Sequence, residues 1–196
     1  ALDERELADY CASLGNRGVR IDFLLNAIGP RVDVARYGRP CEELRLKDFL
    51  LPAEVVAGSQ FLTASRCRPL MRGNRSSVIV LLTASLGRSA IPLIADRTAA
   101  CDAVQGFARV LAAEIGPPGP RVVCARVDAI PGTRTIQETM AANARTMRMS
   151  VGEFATTLPG QGTAPLTLQQ AGREIADIAF DPDMWPTGSL VDIVGR

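Results

Sequence analysis

The groups able to move a proton or hold a ligand are few and unevenly placed. The chain of 196 residues has no histidine, one lysine at Lys47 and two tyrosines at Tyr10 and Tyr37. Its second half therefore offers hydroxyls, acids, thiols and arginines, with neither a phenol nor an amine. Cys11, Cys41, Cys67, Cys101 and Cys124 are widely spaced and never form C-x-x-C. Without histidine they make no zinc set, so no metal is expected. They read as buried thiols of a reducing cytoplasm. Arg97 reads as a solvated or ion-paired side chain, or as a clamp for a carboxylate or phosphate. Ser85 is a turn cap or a pocket hydroxyl. Asn26 at a strand end bonds backbone or serves chemistry. Cys101 reads as a small hydrophobe. Met140, Met147 and Met149 cover a cleft or fill core.

These residues need a frame, and apolar periodicity supplies one. Asp3 to Leu14 has helical spacing, with Asp3 as N-cap and Glu6 completing a capping box. Arg20 to Ala27 is a continuous apolar run, as in a parallel strand covered on both faces. Pro52 reads as the first residue of a long helix, where its missing N–H costs nothing. Arg72-Gly73-Asn74 breaks that helix. Ser77 to Thr83 is a second buried strand. Thr98 to Ile115 is the strongest helix, stopped by Gly116-Pro117-Pro118-Gly119. Arg121 to Val127 is a third strand, and Thr135 to Thr157 reads as helical. A loop from Pro159 to Pro165 precedes a helix from Leu168 to Phe180 and a last strand from Leu190 to Val194. Helix and apolar strand alternate, so the expectation is an α/β parallel sheet with right-handed crossovers.

Bulk properties exclude several classes. The net charge is +1, with both signs interspersed, which gives no electrostatic footprint for nucleic acid. No basic stripe or aromatic platform appears. No apolar run reaches membrane-spanning length and no signal peptide opens the chain, so a cytoplasmic location with no membrane partner is expected. The length suits one domain, residues 1–196.

Four segments carry a resemblance when taken in order: Asp22 to Gly29 (DFLLNAIG), Val104 to Gly116 (VQGFARVLAAEIG), Arg121-Val122-Val123, and the tail from Leu168 to Gly195 with Trp185-Pro186-Thr187-Gly188. Together they resemble the short-chain dehydrogenase/reductase family. The Asn26–Gly29, Phe49–Pro52 and Asp128–Pro131 phrases are similar to a divergent bacterial branch that departs from the Y-x-x-x-K motif. The resemblance implies a Rossmann-type three-layer parallel sheet, and Ala1 matches a point just after the third strand. The expectation is thus the C-terminal two-thirds of the fold, missing its first strands and its Gly-rich phosphate loop.

In that family a tyrosine moves the substrate proton, a lysine lowers the tyrosine's pKa, a serine polarises the carbonyl and an asparagine supports a relay. Counting from Val104 places Arg97 at the tyrosine position and Cys101 at the lysine position. Arg97 cannot act as an acid near neutral pH, and a thiol supplies no fixed cation. The asparagine position falls on Val56. The serine position falls on Ala84, which leaves Thr83 and Ser85 as the catalytic candidates. Asn26, Ala27, Ile28, Gly29, Asp128, Ile130 and Thr133 are the implied cofactor contacts. Pro131-Gly132 looks like the family's turn beside the nicotinamide, whereas counting from Arg121 puts that turn at Val127-Asp128; the count is preferred.

The implied function is an oxidoreductase using NAD or NADP on an unknown small carbonyl or alcohol, the proton coming from water, Thr83 or Ser85. The alternative is a non-catalytic homologue serving as a binding or assembly subunit. The resemblance also implies a homodimer or homotetramer built on the helices around Val55 and Val104, with Ala100, Ala103, Ala112 and Ala113 allowing close approach.

Overall fold

A computed structural model describes residues 3–29, 37–71, 76–88, 90–158 and 164–195, and for 87 and 88 the backbone alone. The break expected at 72–74 and most of the loop at 159–165 lie outside these residues.

The apolar runs form four parallel strands in the order β1 (Phe23–Asn26), β2 (Val78–Ala84), β3 (Arg121–Val127) and β4 (Leu190–Ile193). Leu24 sits opposite Ile79, Val80 opposite Val123, and Val127 opposite Ile193. Alternate residues of the central strands face opposite layers. Ile79, Leu81, Val122 and Cys124 pack on α3 (Gly58–Cys67) and α4 (Ala95–Ile115) through Ala64, Val104, Ala108 and Leu111. Val78, Val80, Val123 and Ala125 pack on α7 (Leu168–Phe180) through Ala171 and Ile178. Every one of these side chains is at most 7% exposed, and each fully buried aliphatic one stabilises the fold by about 1.5–3 kcal/mol. This is the expected three-layer α/β sheet.

The crossovers correct the sequence reading. The sheet advances in one direction, yet β2→β3 passes over the α4 face and β3→β4 over the α7 face. The two connections therefore have opposite hand. The second one carries α5 (Arg134–Thr146), α6 (Val151–Thr157) and α7, so it escapes the steric rule that governs a short single-helix crossover.

β1 is also not covered on both faces. Leu24 joins the α3–α4 core, whereas Phe23 and Leu25 are 42% and 38% exposed on the other side.

The helix expected to start at Pro52 begins earlier, as α2 (Leu46–Pro52). Arg45 pairs with Asp48 at 2.8 Å in its first turn, where an acid also suits the helix dipole. Pro52 has no N–H to return to the preceding turn, and the chain widens into a π-helical turn at Ala53–Ala57 before α3 resumes. Val56, at the implied asparagine position, sits in that turn. The 135–157 stretch forms two helices, because Arg148 takes φ +56° and Ser150 then caps α6 in a reciprocal box with Glu153. At α1 (Glu4–Asn16) the Asp3 carboxylate accepts from the Glu6 N–H at 2.9 Å.

Candidate functional site

In an open parallel sheet, ligands bind beyond the carboxyl ends of the strands. Here those ends are Asn26, Ala84, Val127 and Ile193. A cavity of about 260 Å³ lies at the opposite end, around Gly116–Arg121 and Pro186–Thr187. Its one ionisable group, Arg121, is committed to the carbonyls of Ile178, Ala179 and Trp185, so this cavity offers little chemistry.

Asn26 is buried and fully engaged. Its Oδ1 accepts from the Ile28 N–H at 3.0 Å and its Nδ2 donates to Thr63 Oγ1 at 2.9 Å. These bonds fix the chain as it leaves β1, and Ala27, Ile28 and Gly29 follow with their surfaces exposed. Among the described residues, no atom lies within 4 Å of where a side chain would begin at Gly29. That open backbone is room of the kind a dinucleotide needs beside a strand end.

At the end of β2, the Thr83 hydroxyl is buried and donates to the Cys101 carbonyl of α4 at 3.3 Å. Ser85 is half-buried and donates a hydrogen bond to Asp128, bridging the ends of β2 and β3. Cys101 is itself 7% exposed, packed as a small hydrophobe.

Beyond β3, Val127 still pairs with Ile193, and the Asp128 N–H bonds the Ile193 carbonyl at 3.0 Å. The turn preferred at Val127-Asp128 is therefore not there. It forms at Pro131-Gly132, where both the N–H and the hydroxyl of Thr133 return to the Ile130 carbonyl, at 3.0 and 2.9 Å. The strand does not lengthen; the extra residues run as irregular chain before the turn, which satisfies both constraints. Thr133 then opens α5 as its N-cap residue.

Arg97, in the first turn of α4, is a junction. Its guanidinium donates to Thr139 of α5 at 3.2 Å and to the Leu93 carbonyl at 3.1 Å, and its Nε lies 3.6 Å from Asp96. The guanidinium carbon stands 4.5 Å from the centre of the Tyr37 ring. Its side chain is only 13% exposed, so the ion-paired reading holds and the solvated one does not. Burial lowers the Arg97 pKa, opposed by Asp96, Tyr37 and Cys101, but a guanidinium remains charged.

The sequence assigns Tyr37, one of its two tyrosines, no place in the site. The chain delivers it from the far side of the loop after β1. Gly38 next to it takes φ +72° and lies against α5, where a Cβ would meet the Ala142 carbonyl at 2.6 Å. The Gly38 carbonyl accepts from the Thr146 hydroxyl at 2.5 Å. Burial pushes the Tyr37 phenol above its ordinary value; Arg97 pulls it down, Glu138 and Asp96 push it up, and a hydrogen bond with Thr139 lowers it. Gln60, fully buried, is the other unforeseen residue: its Nε2 donates to the carbonyls of Asn26 and Leu82. A glutamine inside an apolar helix face was the available signal.

A family model described as enoyl-(acyl carrier protein) reductase matches residues 1–157. The chain belongs to the short-chain dehydrogenase/reductase family. Solved structures of the family share its fold. Sorbitol-6-phosphate 2-dehydrogenase SrlD from Erwinia amylovora is 19% identical with a TM-score of 0.82, covering 99% of this chain and 75% of that one. Levodione reductase is 22% identical with a TM-score of 0.80, covering 99% and 73%. ElxO with NADP bound is 18% identical with a TM-score of 0.75, covering 98% and 73%. A search of curated proteins found no match. Among the described residues no helix is long and apolar enough to cross a membrane, and no cluster of three or more Cys, Asp or Glu is placed to hold a metal ion. Family and fold make this an oxidoreductase of the short-chain dehydrogenase/reductase type.

Proposed function

We propose that the protein binds NAD or NADP at the carboxyl ends of β1–β3 and interconverts a small carbonyl compound and its alcohol. The observation that carries this is the convergence of the open Ala27–Gly29 backbone, the Ser85–Asp128 pair and the Ile130–Thr133 turn on one end of the sheet. A relative in the same fold is described with NADP bound, which supports the cofactor class. Bound there, the nicotinamide supplies or accepts the hydride.

The chain's own groups do the rest. Asn26 holds the strand exit in shape. Ala27, Ile28, Gly29, Asp128, Ile130 and Thr133 would hold the cofactor. Ser85, held by its hydrogen bond to Asp128, orients the substrate oxygen. Thr83 keeps the first turns of α4 against β2.

The same reading takes residues 1–196 as one domain, the C-terminal two-thirds of the family fold, in a cytoplasmic homodimer or homotetramer. The outer faces of α3 and α4 support self-association: Phe61 and Val110 are 53% and 58% exposed, and Phe61 stacks edge-on to Phe107. Ala103 and Ala113 are exposed on α4, while Ala100, Val104 and Ala112 are buried.

The test is titration of the full-length protein with NADH and with NADPH, read by Trp185 fluorescence. Saturable binding of either one supports the reading, and binding of neither refutes it. The non-catalytic alternative draws on Thr83, whose hydroxyl is committed to the Cys101 carbonyl. Cofactor binding without turnover of any carbonyl probe would favour it.

A further inference from the structure

We propose that Tyr37 is the proton donor of this site, its phenol brought in by the loop after β1 and paired with the guanidinium of Arg97. This rests on the oxidoreductase reading above.

The argument is one of placement. Thr83 ties the second turn of α4 to the end of β2, so the first turn of α4, with Arg97, lies at the carboxyl edge of the sheet. Arg97 reaches Thr139 of α5, and Gly38 is locked to the same helix by Thr146. The loop at 37–40, the start of α4 and the body of α5 thus meet at the carboxyl edge of the sheet. Tyr37 lies on Arg97, the residue that the count from Val104 sets at the tyrosine position. The usual arrangement is inverted: the helix contributes the cation and the loop contributes the phenol. A cation over the ring face stabilises the phenolate that forms when the proton leaves, as a lysine would from the side.

The surroundings are built to hold this pair. Leu93 takes φ +67°, a costly conformation for a leucine, and in it presents its carbonyl to the guanidinium. Thr139 and the face of Tyr37 also engage the guanidinium, and Asp96 lies 3.6 Å from its Nε. Tyr37 is half-buried.

In the reduction, a hydride from the dihydronicotinamide forms the new C–H bond at the carbonyl carbon. The C=O π pair moves to oxygen and takes the Tyr37 proton, forming O–H. The phenolate left beside Arg97 is reprotonated by water. The balance is carbonyl plus NAD(P)H plus one proton from solvent, giving alcohol plus NAD(P)⁺. The groups facing the phenol are Arg97 and Asp96 from α4 and Glu138 and Thr139 from α5. Burial keeps the phenol protonated at neutral pH, the form a donor needs. Reduction therefore falls as pH rises through the phenol's ionisation.

The experiment uses the full-length protein with NADH or NADPH and two carbonyl probes, camphorquinone and ethyl acetoacetate. Tyr37→Phe is expected to bind cofactor as the wild type does and to keep KM within about twofold, with kcat lower by roughly 100-fold or more. It should also lose the high-pH fall of the wild-type profile. Independently, Tyr37 is titrated by its ultraviolet absorbance, taken as the difference between protein with and without Tyr37→Phe. Adding Arg97→Met should move that titration to higher pH. Tyr37→Phe turning over like the wild type, or keeping the same pH limb, overturns the assignment. So does an Arg97→Met protein whose phenol titrates unchanged. Wild type that binds cofactor but reduces neither probe overturns the donor and leaves the cofactor reading standing. Absence of cofactor binding removes the reading beneath it.

Discussion

Gln60 holds two strands with one nitrogen: its Nε2 lies 3.0 Å from the Asn26 carbonyl of β1 and 2.8 Å from the Leu82 carbonyl of β2. The side chain is fully buried, and both acceptors lie at the carboxyl edge from which the site is built. Where the parallel ladder between β1 and β2 ends, this amide continues it.

Gln60→Leu replaces the amide by an apolar group of similar size and leaves two buried carbonyls without that donor. The expected loss is about 1–3 kcal/mol. Urea unfolding should show a lower midpoint at unchanged slope. A midpoint within error of the wild type would mean that the carbonyls find water instead.

Arg121 offers a second test. It is 4% exposed and donates to Trp185 O at 2.7 Å, Ile178 O at 3.0 Å and Ala179 O at 3.3 Å. A cation among the last carbonyls of α7 also complements its dipole. Arg121→Met should cost roughly 2–4 kcal/mol, combining charged hydrogen bonds and the orphaned carbonyls. Trp185 emission should shift to the red as the segment after α7 loosens. A stable variant with unchanged emission would contradict the stapling role.

The thiols should separate cleanly by accessibility. Cys41 is exposed, while Cys11, Cys67, Cys101 and Cys124 are buried. Burial, aided by a Cys11 contact at 3.7 Å, pushes Cys67 up to about 12, and burial pushes Cys124 up to about 11. Near neutral pH an aromatic disulfide reagent should label one thiol quickly and the other four only on unfolding. Cys41→Ser should abolish the fast phase. Rapid labelling of Cys11 or Cys67 would show that the α1–α3 seam opens readily.

The same shifts set an alkaline limit. A thiol whose folded pKa lies above its ordinary 9.0 keeps its proton in the fold after the unfolded chain has lost it. The native state then binds more protons, so stability is fully present below about pH 9 and declines as pH rises towards 11 and 12. The raised Tyr37 phenol acts in the same sense at higher pH. Cys67→Ser should flatten the decline, seen as a smaller loss in urea midpoint between neutral and alkaline buffer. An equal slope in both proteins would place the effect elsewhere.

What the sequence determined by itself was the local and periodic part. Arg121–Val127 and Leu168–Phe180 form with the boundaries read from their apolar spacing, because burial of alternate or every third-to-fourth residue is written into neighbouring positions. Thr83, Ser85 and Asp128 were within reach by counting along those elements. The hand of the last crossover, the π turn after Pro52 and the uncovered face of β1 were decided by packing between segments far apart in the chain. So was the meeting of Tyr37 with Arg97. Sixty residues separate the phenol from the guanidinium, and no period links a loop residue to a helix start. Only the docking of Gly38 on Ala142 and Thr146 brings them together, a contact whose cause is shape and not sequence spacing.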